Sequence, residues 1–442
     1  MQKRRAYRAT DVKDVAVKKL LTIAPAGAAT VGLDVGKYEI YAVVRWRDGS
    51  FERPWKAQNP AEIDRLVGVL RELAAARPLV AALESTGTYG DALRGKMAQA
   101  GLTVHRVGGK AAHDYAEIFD GVPSQHDGKD AAVIAELAAF GKSRAWPYRA
   151  PSEAEAELAY WVDWLDAQQR VLRMWAGRLD SLLARHWPEA TRLLELTSAT
   201  MLQLLAHYGG PASLAADAAA AARLATWSRS QLEPRKIEQV CASAAQTAGL
   251  GQGERERQRM RQYAAAALAA YRQTQCADRE LKRLAEGNEV VRRQAAVVGA
   301  ATACVLWVSL GDPRDYPCGE AYRKAMGLNL KERSSGRYQG KLKIAKRGPS
   351  IVRRWLYLAA MRQVQDLPVR RWYEAKKAKD RDRAKGALIA VARKLALALY
   401  AVARGERFES WRLFPGRVLA RQGRQVKREK LLRVRRKAAA CG

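Results

Sequence analysis

The sequence predicts an α/β domain near the N-terminus, followed by a mainly α-helical spacer and a mainly α-helical C-terminal domain. Residues 30–108 alternate between short β-rich runs and helical patterns, whereas from Pro151 onwards the pattern is almost purely helical. Of the 442 residues, 48% are hydrophobic and 28% are charged, which is typical of a soluble globular chain with about two to four domains. This composition excludes collagen-like, mucin-like and wholly disordered chains.

Three predicted strands at 30–34, 39–46 and 51–56 open the α/β domain and are joined by short connections. The Asp48-Gly49 dipeptide between the second and third strands is a hairpin signal. The remaining elements follow in order: a helix at 60–75, a strand at 79–84, a helix at 89–100 and a strand at 102–107. Hairpin-linked strands followed by alternating helix and strand predict a mixed sheet.

The helical region begins with a capping-box pattern formed by Ser152 and Glu155. Beyond it, mostly apolar residues recur at alternating three- and four-residue steps: Leu158, Trp161, Leu165, Gln168, Leu172, Trp175, Leu179 and Leu182. This spacing predicts either a coiled-coil seam or, equally well, a long helix packed on its own domain.

Shifts in composition divide the chain into five predicted segments. These are a basic leader at 1–28, the α/β domain at 29–148, a helical spacer at 149–289 with an insertion near 190–260, a C-terminal domain at 290–410 and a basic tail at 411–442. The C-terminal domain is predicted to be helical at both ends, around a centre rich in Gly, Ser and Lys at 327–348.

The charge balance predicts a polyanionic partner. The 78 Lys and Arg residues outnumber the 45 Asp and Glu residues, which gives a net charge of +33, and residues 341–442 alone hold 30 Lys and Arg against 7 Asp and Glu. Nucleic acid is the commonest large polyanion, so we expect the C-terminal part to bind phosphates, with an anionic membrane surface as the rival partner. The five cysteines form no C-x-x-C pair, which argues against a zinc module and fits a reducing cytoplasm.

Two apolar stretches resemble targeting or membrane segments. Residues 20–33 follow a basic start and imitate a secretory signal, but their end also matches the first predicted strand. Residues 295–310 are uncharged but shorter than the ~18 to 20 residues that span a bilayer, so they predict a buried helix pair. We therefore predict a cytoplasmic protein without a membrane partner.

Four carboxylates stand where an α/β domain places its ligands. Asp34 and Glu84 lie at the ends of two predicted strands, and Asp127 and Asp130 are three residues apart at the start of a predicted helix, on one face. Carboxylate oxygens of this kind suit a hard divalent cation such as Mg²⁺. Taken singly, each acid also fits a turn or a helix cap.

A second group of residues surrounds Ser335 in the Gly/Ser/Lys-rich centre. The serine precedes Gly336, and cations predicted to bind nucleic acid follow it: Arg337, Lys341, Lys343, Lys346, Arg347, Arg353 and Arg354. A serine beside a flexible glycine and several cations could attack a phosphodiester, because the cations would stabilise the charge that develops on phosphorus. The alternative is an ordinary Ser/Gly loop that only contacts phosphate, since no His or Asp base accompanies the serine locally.

The order D, E, D-x-x-D, followed after a helical spacer by G-L, S-G, I-x-K-x-G and R-R-x-L-Y, resembles the DEDD insertion-sequence transposases of the IS110 type. The resemblance covers residues 29–142 and 290–405. It implies an RNase H/RuvC-like N-terminal domain that holds Mg²⁺ or Mn²⁺ on Asp34, Glu84, Asp127 and Asp130. It also implies a C-terminal transposase domain with Ser335 as nucleophile, although the neighbouring Ser334 leaves the choice between the two serines open.

The resemblance predicts a DNA transposase or recombinase that cuts and rejoins DNA through a covalent phosphoserine. It further implies donor and target double-stranded DNA, a structured non-coding guide RNA (a bridge RNA) and a homo-oligomer in which one subunit's metal site meets another's serine. We expect such a protein in the bacterial cytoplasm, at the nucleoid. Two alternatives stay open: a RuvC-like, metal-dependent, structure-specific endonuclease that acts by hydrolysis, and a non-catalytic nucleic-acid scaffold.

Overall fold

The computed structural model describes residues 8–84, 87–121, 126–332, 334–335, 338–339, 342–381 and 383–415. The chain divides into two compact units, Met1–Pro151 and Ser152–Gly442. The predicted nucleic-acid ligands Arg337 and Lys341 lie outside the described residues, as does the basic tail beyond residue 415.

The first unit contains a seven-stranded mixed sheet with helices on both faces. In chain order its elements are β1 (Thr10–Asp11), α1 (Val17–Ile23), β2 (Ala29–Val35), β3 (Glu39–Trp46), β4 (Trp55–Gln58), α2 (Ile63–Ala76), β5 (Leu79–Glu84), α3 (Asp91–Gln99), β6 (Thr103–Val107), α4 (Gly109–Asp120), α5 (Asp127–Ala139) and β7 (Ser143–Ala145). The strand order across the sheet is β1-β4-β3-β2-β5-β6-β7.

Strand pairing identifies the fold of this unit. β2, β3 and β4 form an antiparallel meander, and β5 and β6 continue the sheet on the other side of β2 in parallel. The first strand of the meander is therefore central, flanked by the second and fourth main strands, which is the topology of the RNase H/RuvC-like fold. The predicted α/β class and mixed sheet are confirmed.

The observed bounds match those predicted for the strands at 39–46 and 79–84. The third strand begins later than predicted, at Trp55, because Phe51 makes only an isolated bridge to Arg45. The short edge strands β1 and β7 were not predicted, because two or three residues carry no periodic pattern. Part of the predicted leader packs into this unit: β1 pairs with β4, and Val12 and Val17 are buried in its core.

The two faces of β2 serve different layers, because successive side chains in a strand point to opposite sides. Val31, Leu33 and Val35 pack in the apolar layer that includes α2 and α3, while Gly32 faces α5. A Cβ on Gly32 would lie 1.9 Å from the carbonyl oxygen of Ala131, so only glycine lets α5 approach this strand so closely. Asp34, two residues further along β2, lies on the same side as Gly32.

The second unit is almost entirely helical. Its helices are α6 (Glu153–His186), α7 (Ala190–Leu193), α8 (Ala199–Tyr208), α9 (Pro211–Ala215), α10 (Ala220–Trp227), α11 (Pro234–Ala245), α12 (Glu254–Glu286), α13 (Glu289–Val298), α14 (Ala300–Leu310), α15 (Gly319–Ala325), α16 (Ser350–Gln363), α17 (Leu367–Lys379), α18 (Ala384–Ala403) and α19 (Ser410–Leu413). The predicted capping box at its start is confirmed, since the Glu155 amide donates to Ser152 Oγ at 3.3 Å and the Ser152 amide to Glu155 Oε2 at 2.8 Å.

The long helices α6 and α12 form an antiparallel pair. Arg283 donates to Glu157 at 2.6 Å near one end, and the rings of Trp175 and Tyr263 lie 5.1 Å apart further along. The predicted seam of α6 thus packs within its own unit: Leu158 and Leu165 join one core, and Leu179 joins a second core together with α8 to α11. Of the two interpretations of the spacing, the long helix packed on its own domain describes this structure.

Two apolar segments of this unit are core helices. The predicted helix pair at 295–310 is confirmed: α13 and α14 meet at Gly299, whose φ of 83° ends the first helix. Within the described residues, α18 is long and apolar enough to cross a membrane by length and composition. Its Val391, Leu395 and Leu399 are nevertheless fully buried among the other helices.

The described parts of the Gly/Ser/Lys-rich centre form two short antiparallel ladders, and residues 329–332, 334–335, 338–339 and 342–345 are here called the serine arm. At its base β8 (Leu330–Lys331) pairs antiparallel with β11 (Lys343–Ile344). Nearer the tip β9 (Ser334–Ser335) pairs antiparallel with β10 (Tyr338–Gln339). In this ladder Ser335 pairs with Tyr338 and Ser334 with Gln339.

Candidate active site

Three carboxylates meet where β2 ends beside α5. Asp34 lies near the end of β2, where Gly32 lets α5 approach the strand. Asp127 and Asp130 lie in the first turn of α5. One oxygen from each of the three side chains lies within 4.8 Å of the others. The predicted D-x-x-D pair and the strand-end aspartate are therefore brought together by the fold.

Glu84 reaches the same place from the neighbouring strand. β5 runs parallel to β2, so the C-terminal ends of the two strands lie at one edge of the sheet. The Glu84 carboxylate lies directly against the first residue of α4: a Cβ on Gly109 would be 2.2 Å from Glu84 Oε1. A glycine at position 109 therefore gives this side chain its room.

The four acids perturb one another's protonation. Burial, followed by the charges of Asp130, Asp127 and Glu84, raises the pKa of Asp34 to about 7. Burial and then Asp130 raise the pKa of Glu84, while His113 acts in the opposite direction. Burial and Asp127 likewise raise the pKa of Asp130. Negative charge is thus crowded and only partly compensated by protein groups, as expected of a cation-binding site.

A buried ion pair fixes the start of α5. The side chain of Lys129, only 2% exposed, contacts Asp120 at the end of α4 at 2.8 Å. Because an unpaired charge is costly to bury, this contact holds the first turn of α5 in place. The sequence analysis did not predict this ion pair. The available signal for a buried lysine was its position just before the mostly apolar run Ala131–Leu137, of which all residues but Glu136 are buried.

The chemistry of the donor set fits a hard divalent cation. All four candidate ligands supply carboxylate oxygen and none supplies nitrogen or sulfur, which suits Mg²⁺ or Mn²⁺ better than zinc or copper. The separation of the three aspartate oxygens is small enough for one ion to neutralise their mutual repulsion.

The predicted residues of the second unit differ in their surroundings. Ser335 is exposed on the serine arm, and Lys343, Lys346 and Arg347 are exposed at or beside its base. The two arginines of the R-R-x-L-Y segment are half-buried in α16: Arg353 donates to the carbonyl oxygen of Gly348 at 2.6 Å, and Arg354 forms an ion pair with the buried Asp166. Arg393 of α18, which sequence reasoning missed, donates to the carbonyl oxygen of Leu328 at 2.9 Å.

Comparisons with known proteins match segments in both the N-terminal and the C-terminal half of the chain. A family model for DEDD transposases of the IS110 type matches residues 31–188, and one described as "Transposase IS116/IS110/IS902 family" matches residues 293–374. The insertion element IS110 uncharacterized 43.6 kDa protein of Streptomyces coelicolor is 26% identical over 402 residues, which cover 88% of this chain and 97% of that protein. Among solved structures, T. thermophilus RuvC in complex with a Holliday junction substrate aligns at 17% identity with a TM-score of 0.22, over 27% of this chain and 99% of that one.

The first family model matches most of the sheet together with its four acids, since residues 31–188 include Asp34, Glu84, Asp127 and Asp130, and it defines the class as DEDD transposases. The two family models place this chain more narrowly, since together they match more than half of its 442 residues. The chain belongs to the IS110 family of DEDD transposases. It is therefore an enzyme that acts on DNA. The DEDD fold implies dependence on a divalent metal, and the acidic cluster is the candidate site for it.

Proposed function

We propose that this transposase cuts and rejoins DNA through a covalent phosphoserine at Ser335, with Mg²⁺ or Mn²⁺ held by Asp34, Glu84, Asp127 and Asp130. The observation that carries the metal site is the approach of three aspartate oxygens to within 4.8 Å of one another. The raised pKa of Asp34, about 7, supports it, because such crowding is relieved by a cation.

The four acids would bind the ion, which supplies charge stabilisation at the phosphate when bound. Asp34 and Asp130 face each other from β2 and α5, so the sheet and the helix hold them at fixed spacing before DNA arrives. Such preorganisation is the main contribution that a protein makes to phosphoryl transfer.

The serine step balances without a nucleotide cofactor. Ser335 Oγ forms a bond to phosphorus and gives up its proton, while the bond between phosphorus and the 3′ oxygen breaks and that oxygen leaves as a 3′-hydroxyl. Attack by a 3′-hydroxyl on the phosphoserine reverses the step and rejoins the strand. Since no His or Asp accompanies Ser335 locally in the sequence, we assign proton removal to the acidic site of another protomer in a homo-oligomer.

Charge supports the proposed partners. The net +33 of the chain and the exposed Lys343, Lys346 and Arg347 fit double-stranded DNA and a structured guide RNA held by their backbones, with sequence left to base pairing. We place this activity in the bacterial cytoplasm, at the nucleoid. The test removes RNA from the protein. If the stripped protein recombines donor and target DNA as efficiently as untreated protein does, the role of a guide RNA is contradicted.

The decisive experiment is to trap the protein–DNA adduct under denaturing conditions. We expect wild type to form it in Mg²⁺, Ser334→Ala to retain it, and both Ser335→Ala and Asp34→Asn to lose it. Ser334→Ala is the matched control, because it removes the same group one position away. Full cleavage without an adduct by Ser335→Ala would instead support the hydrolytic, RuvC-like endonuclease, and full recombination by Asp34→Asn would support the non-catalytic role of the acids.

A further inference from the structure

The serine arm joins the helical part of its unit through a narrow neck. Two backbone hydrogen bonds close it: the Ala345 amide donates to Asn329 at 2.7 Å and the Lys346 amide to Gly327 at 3.0 Å. Among the described residues, two residue pairs of β8 and β11 continue the ladder beyond them. A short ladder resists bending weakly, so the direction of the arm depends on what holds this neck.

Arg353 crosses the neck from the first turn of α16. Its Nη1 donates to the carbonyl oxygen of Gly348 at 2.6 Å. The same Nη1 lies 2.9 Å from the place that a Cβ on Gly327 would occupy. One guanidinium therefore packs against both chain segments that lead into the arm.

Both glycines of the neck leave no room for a side chain. Gly327 has a φ of +72° and Gly348 a φ of +156°, conformations that other residues rarely adopt. A Cβ on Gly348 would lie 2.2 Å from the carbonyl oxygen of Ala325. The backbone comes this close only because glycines stand here, and Arg353 uses the space at Gly327.

A second arginine acts on the same segment from another helix. Arg393 of α18 donates through Nε to the carbonyl oxygen of Leu328 at 2.9 Å, next to Gly327. Burial lowers the pKa of both the Arg353 and the Arg393 guanidinium groups from the usual value. Arg347, by contrast, stands beside the neck with an exposed side chain.

We propose that Arg353 is a positioning residue that sets the direction of the serine arm, and not a phosphate ligand. The inference rests on the proposed role of Ser335, since an arm that swings freely would rarely place its hydroxyl in line with a phosphate. Misplacing a reacting group by about 1 Å can cost ~100-fold in rate. Arg393 supports the same neck through Leu328.

The test compares Arg353→Met, Arg353→Lys and the matched control Arg347→Met in the full-length protein. Methionine keeps much of the apolar stem but removes the guanidinium, whereas lysine retains one donor that can reach Gly348. Three quantities are measured: hydrogen exchange of the Ala345 and Lys346 amides, the salt dependence of DNA affinity, and the rate of adduct formation.

We expect Arg353→Met to speed exchange of these amides about 10-fold or more and to slow adduct formation by ~10- to 100-fold, with DNA affinity and its salt slope unchanged. Arg353→Lys should recover part of both losses. Arg347→Met should leave amide exchange unchanged and reduce the salt slope by about 1, as loss of one phosphate contact does.

Unchanged exchange in Arg353→Met would overturn the proposal, as would a reduced salt slope like that of Arg347→Met. Should Arg353→Met not fold, unchanged exchange in Arg353→Lys relative to wild type overturns it and faster exchange supports it. Hydrogen exchange does not involve Ser335 chemistry. A wild type that forms no adduct would therefore refute the phosphoserine, while the exchange data would still decide the role of Arg353.

Discussion

Replacing Asp34 by Asn should stabilise the metal-free protein while abolishing its metal site. In the folded protein the pKa of Asp34 is raised from 3.8 to about 7, so the folded state binds an extra proton between these pH values. The contribution of Asp34 to the free energy of unfolding is therefore most favourable at low pH and falls as the pH rises towards about 7. At about 1.4 kcal/mol per pKa unit, the charged form costs at most about 4 kcal/mol above pH 7.

The assay is unfolding in urea with EDTA at pH 5 and pH 8, with pulsed hydrogen exchange read in peptides from β2 and α5, so that only the first unit is followed. We expect Asp34→Asn to be more stable than wild type at pH 8, by up to about 4 kcal/mol, and the two to differ less at pH 5. Adding Mg²⁺ at pH 8 should stabilise wild type but not the variant.

Asp48→Asn is the control, because the hydrogen bonds from Ser50 lower the pKa of Asp48 in an exposed turn. Removing that charge should slightly destabilise the protein at pH 8, which is the opposite sign. Wild-type stability that stays level between pH 5 and pH 8 in EDTA, or an Asp34→Asn variant that is less stable than wild type at pH 8, would refute the reasoning.

Three further substitutions test the packing and the ion pair that position the four acids. Gly109→Ala should leave stability unchanged or raise it by up to about 1 kcal/mol, because alanine favours the helix, yet weaken Mg²⁺ binding by ~10-fold or more by displacing Glu84, measured by calorimetry. Gly32→Ala should destabilise the first unit by about 3 kcal/mol in urea unfolding, because its Cβ meets the backbone of α5. Lys129→Met should cost about 2 to 4 kcal/mol in the same assay by leaving Asp120 without this partner, and the double variant with Asp120→Leu should recover part of it.

Each of these results has a contrary outcome. Unaltered Mg²⁺ affinity in Gly109→Ala would mean that Glu84 does not bind the ion. A Gly32→Ala variant as stable as wild type would show that α5 can move away from β2 at no cost. A double variant whose loss equals the sum of the losses in Lys129→Met and Asp120→Leu would show that the two residues do not act together.

Much of the site could be predicted because its residues mark the ends of regular elements. Asp34 and Glu84 stand at the ends of apolar runs that predict buried strands, and parallel strands end at a common edge. Asp127 and Asp130 have the spacing that places both on one face of a helix. Whether these residues bind metal stays a prediction. The pattern placed each acid at the end of its element, and the family resemblance implied that all four form one site.

The rest depended on contacts between distant segments. Gly109 and Lys129 matter because of what lies opposite them, Glu84 and Asp120, and no local pattern in a single sequence reveals such a pair. The spacing in α6 left a coiled-coil seam and an intramolecular partner equally open, because both bury the same face of the helix. Nucleic-acid binding by Arg353 was predicted from charge and stays a prediction, whereas its hydrogen bond to the carbonyl oxygen of Gly348 could not be read from the sequence.

The alternating faces of β2 make this strand intolerant of changes in length. Inserting or deleting one residue between Gly32 and Asp34 would turn the carboxylate towards the leucines of α2 and turn the neighbouring apolar side chain towards Asp127 and Asp130. Point substitutions elsewhere in β2 do not change which face of the strand carries Asp34. Extra residues in the segment 24–28, before the strand, also leave this alternation of faces unchanged. Natural variation in relatives should therefore change which residues occupy this strand, but not how many.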